Sequence, residues 1–231
     1  MAVDRGGRGP RTVRTHPVPH PRTGRVGCPR GGLPAAVVGA DLAARRRGHR
    51  RRPGESEAFA HDLAEFIGGV RGIDTRGRTF RGGGRGGDLR AHDTWMETCF
   101  ERSERFLDVP LLRRMWTVLR DLPRGPVPDL MTHGDLIPGN VLVSRGRLAG
   151  VLDVGGLRAA DPALDLVGAW HLLEDRPRRA LRADLGCDDL EWERGKAWAF
   201  QQSMGAVWYY HESNPPMSRM GTRTLARLAA A

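Results

Sequence analysis

The first aromatic residue in this chain of 231 is Phe59. Ahead of it, residues 1–52 hold thirteen Arg, nine Gly and six Pro, with only two acids, Asp4 and Asp41. No helical or strand-like apolar pattern runs through that stretch. Arg45-Arg46-Arg47 and Arg50-Arg51-Arg52 are runs of like charge. Such a segment has too little apolar surface to offset its conformational entropy. The core is therefore expected from residues 53–231. Residues 1–52 read as a separate disordered segment, or as an out-of-frame reading of a GC-rich gene. A basic tail touching nucleic acid or an acidic membrane is the weaker alternative, because no aromatic side chain interleaves with the arginines to stack on bases.

The formal net charge of +10 is concentrated in that first quarter. Residues 53–231 carry 24 basic and 25 acidic side chains, so the folding part is near neutral and does not call for a nucleic-acid partner. Cys28, Cys99 and Cys187 form no paired motif and suit a reducing, cytoplasmic setting better than a disulfide framework. No run approaches the roughly 18 apolar residues of a membrane span. Leu33 to Leu42 is broken by Gly39 and Asp41, so no signal peptide and no membrane partner are expected.

From Ser56 the pattern becomes that of folded protein. Phe59, Leu63, Phe66, Ile67, Val70 and Ile73 recur at helical spacing behind a Ser56 cap. A second helix is expected from about Asp93 to Phe106, with Trp95, Cys99, Phe100 and Phe106 inward. A third opens at Pro110 and carries Leu111, Leu112, Met115, Trp116, Leu119 and Leu122. Leu130-Met131-Thr132 leads into a loop. Val141–Val143 and Leu148–Leu152 then read as a hairpin turning at Ser144-Arg145-Gly146. Helices follow over 162–173, 177–185, 190–211 and 217–230. The fold class is α+β: a mostly helical domain with a short β-hairpin.

Chemistry gathers around that hairpin. Thr132-His133-Gly134-Asp135-Leu136-Ile137-Pro138-Gly139-Asn140 precedes it, and Asp153-Val154-Gly155 follows it. Phosphoryl transfer from ATP needs a carboxylate to take the proton of the attacking hydroxyl, and oxygen ligands to hold Mg2+ against the phosphates. Asp135 and Asn140, on one loop with four residues between them, fit those two tasks. A hairpin is what brings Asp153 back to the same place, and Asn and Asp supply the hard oxygens that suit Mg2+. A metal-hydrolase reading of His133, Asp135 and Asp153 lacks a second His at ligand spacing.

Together with Gly150-Val151-Leu152-Asp153 and Asp161-Pro162-Ala163-Leu164-Asp165-Leu166, the loop resembles the aminoglycoside phosphotransferase family. Kinases of choline and homoserine are related to it. The resemblance covers about residues 54–231 and implies a protein-kinase-like C-terminal lobe using ATP and Mg2+ on a small-molecule hydroxyl acceptor. It implies Asp135 as the catalytic base and Asn140 with Asp153 as metal ligands. His133 would brace the loop and Asp165 would anchor it. One departure is Gly156, where many relatives carry an acid after the glycine.

The resemblance implies that the C-terminal helices help wall the acceptor cleft, and Glu193, Gln201, Tyr209 and Glu212 are candidate substrate contacts there. Asp184, Asp188, Asp189, Glu191 and Glu193 form an acidic cluster that reads as helix capping or as a site for a cationic acceptor. Gly82–Gly87 lacks the Gly-Lys-Ser/Thr ending of a phosphate loop and reads as a flexible interhelix loop.

The kinase plan also needs a nucleotide-binding N-terminal lobe with a Lys on the phosphates. The only Lys here is Lys196, and residues 1–52 have neither Lys nor Glu. The N-terminal ATP lobe is therefore expected to be missing or degenerate. Two functions stay open beside nucleic-acid binding: an ATP-dependent phosphotransferase, and a non-catalytic kinase-like remnant. Oligomeric state is not legible in the sequence.

Overall fold

A computed structural model describes residues 52–82 and 84–231; readings that fall on residues 1–51 lie outside them. Helix α1 spans Glu57–Arg71. Its start is fixed by Ser56, whose Oγ accepts from Phe59 N at 3.2 Å and donates to Gly146 O at 2.8 Å. Phe59, Leu63, Ile67 and Val70 are buried along one stripe. Helix α2 covers Asp93–Ser103 and α3 covers Val109–Leu119, the latter capped by Asp108. Phe106 is not inward as expected; it lies beyond the end of α2, is 40% exposed and stacks near His211, while Met96 takes the buried position on the helix.

Four short strands form two antiparallel pairs. Strands β2 (Val141–Ser144) and β3 (Arg147–Val151) are the expected hairpin. Its turn holds Arg145 at φ 52° and Gly146 at φ 77°, the paired left-handed residues that match strand twist. Strands β1 (Leu130–Thr132) and β4 (Arg158–Ala160) pair as Leu130↔Ala160, Met131↔Ala159 and Thr132↔Arg158. That pairing was not foreseen, since three residues carry too little alternation to signal a strand.

The stretch expected as one helix over 162–173 is two pieces. A 3-10 turn, Pro162–Leu166, precedes α4, Val167–Leu172. Asp161 begins the turn by accepting from Ala163 N at 3.1 Å. Helices α5 (Asp175–Leu185), α6 (Asp189–Tyr209) and α7 (Pro215–Ala229) complete the domain. Among the described residues no helix is long and apolar enough to cross a membrane.

The centre of the packing is α6. It buries Trp192, Trp198, Phe200 and Met204, and touches α2, α3, α4, α7 and the 3-10 turn. Asp161 and Arg194 pair inside this core at 2.6 Å, with 1% and 3% of their side chains exposed. Trp198 Nε1 donates to the same carboxylate at 2.9 Å, and Arg194 Nη1 donates to Leu122 O and Pro123 O. The ions are thus fully hydrogen-bonded, the condition under which a buried pair is tolerated. Close helix packing needs glycine at two points: a Cβ on Gly195 would lie 2.5 Å from Leu166 Cβ, and one on Gly221 2.8 Å from Ser203 O. Gly195→Val is therefore expected to lower unfolding free energy by about 1–3 kcal/mol through overpacking, read by urea denaturation; a loss within experimental error would contradict this packing.

Candidate active site

Strand β1 delivers the chain to His133, and the following turn passes through Gly134 at φ 76°. A side chain there would also crowd Leu164 Cδ2 at 3.2 Å. The turn is held from inside by Asp165. Its fully buried carboxylate accepts from His133 N at 2.9 Å and from Gly134 N at 2.7 Å. Burial pushes the Asp165 carboxyl above the ordinary carboxylate range, against the downward pull of the two backbone N–H bonds.

His133 is buried and connects this loop to the far end of the hairpin. Its Nε2 lies 2.8 Å from Leu152 O, and Asp135 N donates to its Nδ1 at 3.3 Å. A carbonyl only accepts and a backbone N–H only donates, so Nε2 is the donor of this ring and Nδ1 the acceptor. Leu152 N in turn donates to Asn140 O at 2.8 Å. Residue 152 is thereby bonded to both ends of the 133–140 loop, and Asp153 follows it directly. Asp153 sits at φ 60°, a left-handed conformation uncommon outside glycine, and its side chain is exposed.

Asp135 is partly exposed, with 36% of its side chain open to solvent. Asn140 Nδ2 donates to its Oδ2 at 3.0 Å and to its backbone O at 2.9 Å. Its Oδ1 accepts from Gln202 Nε2 at 2.7 Å and from Arg85 Nη2 at 3.2 Å. Arg158 Nη2 donates to Arg85 O at 3.2 Å. Burial first, and then the neighbouring Arg85, hold the Arg158 guanidinium below its ordinary value. Two cations therefore stand beside the carboxylate. Among the described residues no group of three His, Cys, Asp or Glu converges as a metal-binding cluster.

Three of these neighbours escaped the sequence reading. Arg85 belongs to the Gly-rich stretch between α1 and α2, which reads as a flexible interhelix loop; Gly86 O accepts from Asp161 N at 2.9 Å, and this fastens the loop beside the site. Arg158 carries no motif of its own. Gln202 is one residue from the expected Gln201. One step along a helix turns a side chain by about 100°, so Gln202 reaches Asp135 while Gln201 is buried against His92 Nδ1 at 3.3 Å.

The remaining candidates stand elsewhere. Glu193 pairs with Lys196 at 3.7 Å, Tyr209 is exposed and packs edge-on against Trp208 and Tyr210, and Glu212 is exposed beyond the end of α6. The acidic cluster is occupied by partners within the fold. Asp188 caps α6 through Glu191 N at 2.7 Å, Glu191 pairs with Arg71 at 2.6 Å, Asp184 pairs with His61 and Asp189 with Arg182.

Comparison with known proteins follows the same lines. The family model described as the APH phosphotransferase enzyme family matches residues 8–200, a span that begins ahead of Pro53. Over 63 residues the chain is 38% identical to an aminoglycoside 3'-phosphotransferase of Escherichia coli; that stretch is 27% of this chain and 23% of that protein. The solved GDP and kanamycin complex of APH(2")-IIia superposes with a TM-score of 0.54 at 19% identity, covering 75% of this chain and 62% of that one. A GDP complex of a mutant aminoglycoside 2'-phosphotransferase-IIIa gives 0.53 at 19% identity, covering 75% and 61%. At such identity the likeness is one of fold, a kinase-like domain dominated by helices. The chain spans less than two thirds of the length of these relatives.

The Asp165 geometry has a direct consequence for stability. Asparagine has one acceptor oxygen where the carboxylate uses two, so Asp165→Asn would set an NH2 against a buried backbone N–H. A loss of about 1–3 kcal/mol is expected in chemical denaturation, against a change within about 0.5 kcal/mol for the exposed Asp153→Asn. Equal losses in the two variants would contradict the anchoring role.

Proposed function

Since the chain belongs to the phosphotransferase enzyme family, we propose that its site moves the γ-phosphoryl group of ATP to a hydroxyl of a small molecule, an aminoglycoside-type antibiotic or a related metabolite. The observation that carries this reading is the arrangement around Asp135. It is a partly exposed carboxylate fixed by Asn140, in a loop bonded through Leu152 to the residue before Asp153. Residues 53–231 act as the catalytic lobe, in a cytoplasmic protein.

In this mechanism the acceptor hydroxyl gives its proton to Asp135. The hydroxyl oxygen forms a bond to the γ-phosphorus, the bond from that phosphorus to the bridging oxygen breaks, and ADP leaves with the electron pair. Asp135 must hold its position while this happens, because a misplaced base loses the in-line geometry. Arg85 supports a role on the transferring group: its guanidinium stands beside the reacting centre, with Nη2 3.2 Å from Asp135 Oδ1.

The donor set suits Mg2+. Asn140 uses its amide nitrogen on Asp135 and keeps Oδ1 as a hard oxygen; Asp153 is an exposed carboxylate one residue past the bond to Asn140. Bound there, Mg2+ would neutralise charge on the phosphate oxygens.

One observation favours a second reading, a non-catalytic lobe. Lys196, the sole Lys of the sequence, stands on α6 and pairs with Glu193 at 3.7 Å, so its ammonium is committed away from the nucleotide phosphates. Calorimetry with Mg-ATP separates the readings: measurable affinity supports the enzyme, and none in a folded protein supports the remnant. In an ADP-release assay against a panel of hydroxylated antibiotics that includes kanamycin, Asp135→Ala is expected to lower kcat by about 10²- to 10⁴-fold with little change in KM for ATP. Retained turnover would remove Asp135 from the role of base.

A further inference from the structure

Behind Asp135 a line of hydrogen bonds runs into the core. Gln202 Nε2 donates to Asp135 Oδ1 at 2.7 Å. The other end of the same carboxamide, Oε1, lies 3.2 Å from His171 Nε2. His171 Nδ1 lies 3.0 Å from Thr224 Oγ1. The three residues come from α6, α4 and α7, so the line crosses three helices before reaching the loop. His171 is 4% exposed and Thr224 fully buried, while Gln202 is half-buried at the edge of the site.

Each orientation along this line is forced by its neighbour. A carboxylate only accepts, so the Gln202 NH2 must face Asp135 and its Oε1 must face inward. That oxygen also only accepts, so His171 must carry its proton on Nε2. Nδ1 is then a bare lone pair, and the Thr224 hydroxyl donates to it. Burial holds the His171 imidazole neutral, with its pKa lowered to about 4, which this arrangement requires. All three donors point toward Asp135. At the far end, Oδ1 is occupied by Gln202 and Arg85, whereas Oδ2 has Asn140 alone. One lone pair of Oδ2 is left for an incoming proton.

We propose that His171 is a positioning residue for the reaction: by fixing the Gln202 carboxamide it occupies Asp135 Oδ1 and leaves Oδ2 as the oxygen that receives the acceptor's proton. The inference rests on Asp135 being the base. An apolar side chain would fill the same space in the core, but a polar His with a defined tautomer is what directs Gln202.

The test uses the 15N-labelled 231-residue chain in solution at neutral pH, with His171→Phe to assign the His171 ring signals. Long-range 1H–15N spectra should show His171 as a single Nε2–H tautomer. The two Gln202 carboxamide protons should be separate and slowly exchanging, and in His171→Phe they should collapse toward solvent-exposed values. An Nδ1–H tautomer, or a Gln202 amide unmoved in His171→Phe, overturns the proposal. Kinetics with Mg-ATP add a second arm. His171→Phe should lower kcat on the order of tenfold to a hundredfold with KM for ATP within about twofold. His171→Gln, which can still donate to Gln202, should recover most of the loss. Unchanged kcat in His171→Phe also overturns it. Asp135→Ala keeps the two ideas apart: an active Asp135→Ala enzyme removes the base assignment, whereas a dead one beside a fully active His171→Phe removes only the positioning role.

Discussion

The site depends on a buried carboxylate meeting two backbone N–H groups. Asp165 holds His133 and Gly134 from inside the core, and the loop that follows inherits its position from that grip. A tight turn through a left-handed glycine leaves backbone donors that water cannot reach, and an ordinary side chain in that pocket would leave them unpaired. With the turn fixed, His133 can bind both Leu152 and the amide of Asp135, and Leu152 can bind Asn140. Five contacts of backbone and side chain thus convert a strand end, a loop and a hairpin into one rigid piece.

Rigidity of this kind is what phosphoryl transfer asks of a protein, since its contribution is mostly placement and charge. The same logic extends outward. Asp161 and Arg194 clamp the 3-10 turn that carries Asp165 to α6, and Gly195 lets that helix approach Leu166 closely. From α6 also comes Gln202, which touches Asp135 directly. One helix therefore supports the loop anchor and meets the carboxylate the loop presents. Arg85 of the Gly-rich loop stands against the Asp135 carboxylate, Arg158 of β4 donates to the backbone of that loop, and Lys196 pairs with Glu193.

Much of the helical framework was legible because its signals are local. Ser56 and Asp188 cap helices where a polar residue precedes an apolar period, and α1, α3, α5, α6 and α7 fall close to their expected bounds. Errors arose where local signals were weak or contradicted. Strands β1 and β4 are three residues long and exist because they meet each other, 26 or more positions apart in sequence. Phe106 looked like core on periodicity, but α2 had already ended at Ser103. The acidic cluster read two ways in sequence; in space most of its members have arginine, histidine or backbone partners.

What the sequence determined by itself was the chemistry at stake: an Asp, an Asn and a second Asp at spacings that a loop and a hairpin can bring together, in the part of the chain able to form a core. It also determined that Lys196 is the only lysine. Tertiary structure decided which neighbours those groups have. Arg85, Arg158, Gln202, His171 and Thr224 belong to five different segments, and nothing in their own surroundings along the chain marks them. Side-chain direction on a helix changes by about 100° per residue, so choosing between Gln201 and Gln202 required knowing which face of α6 meets the loop. Packing of the whole domain fixes that face.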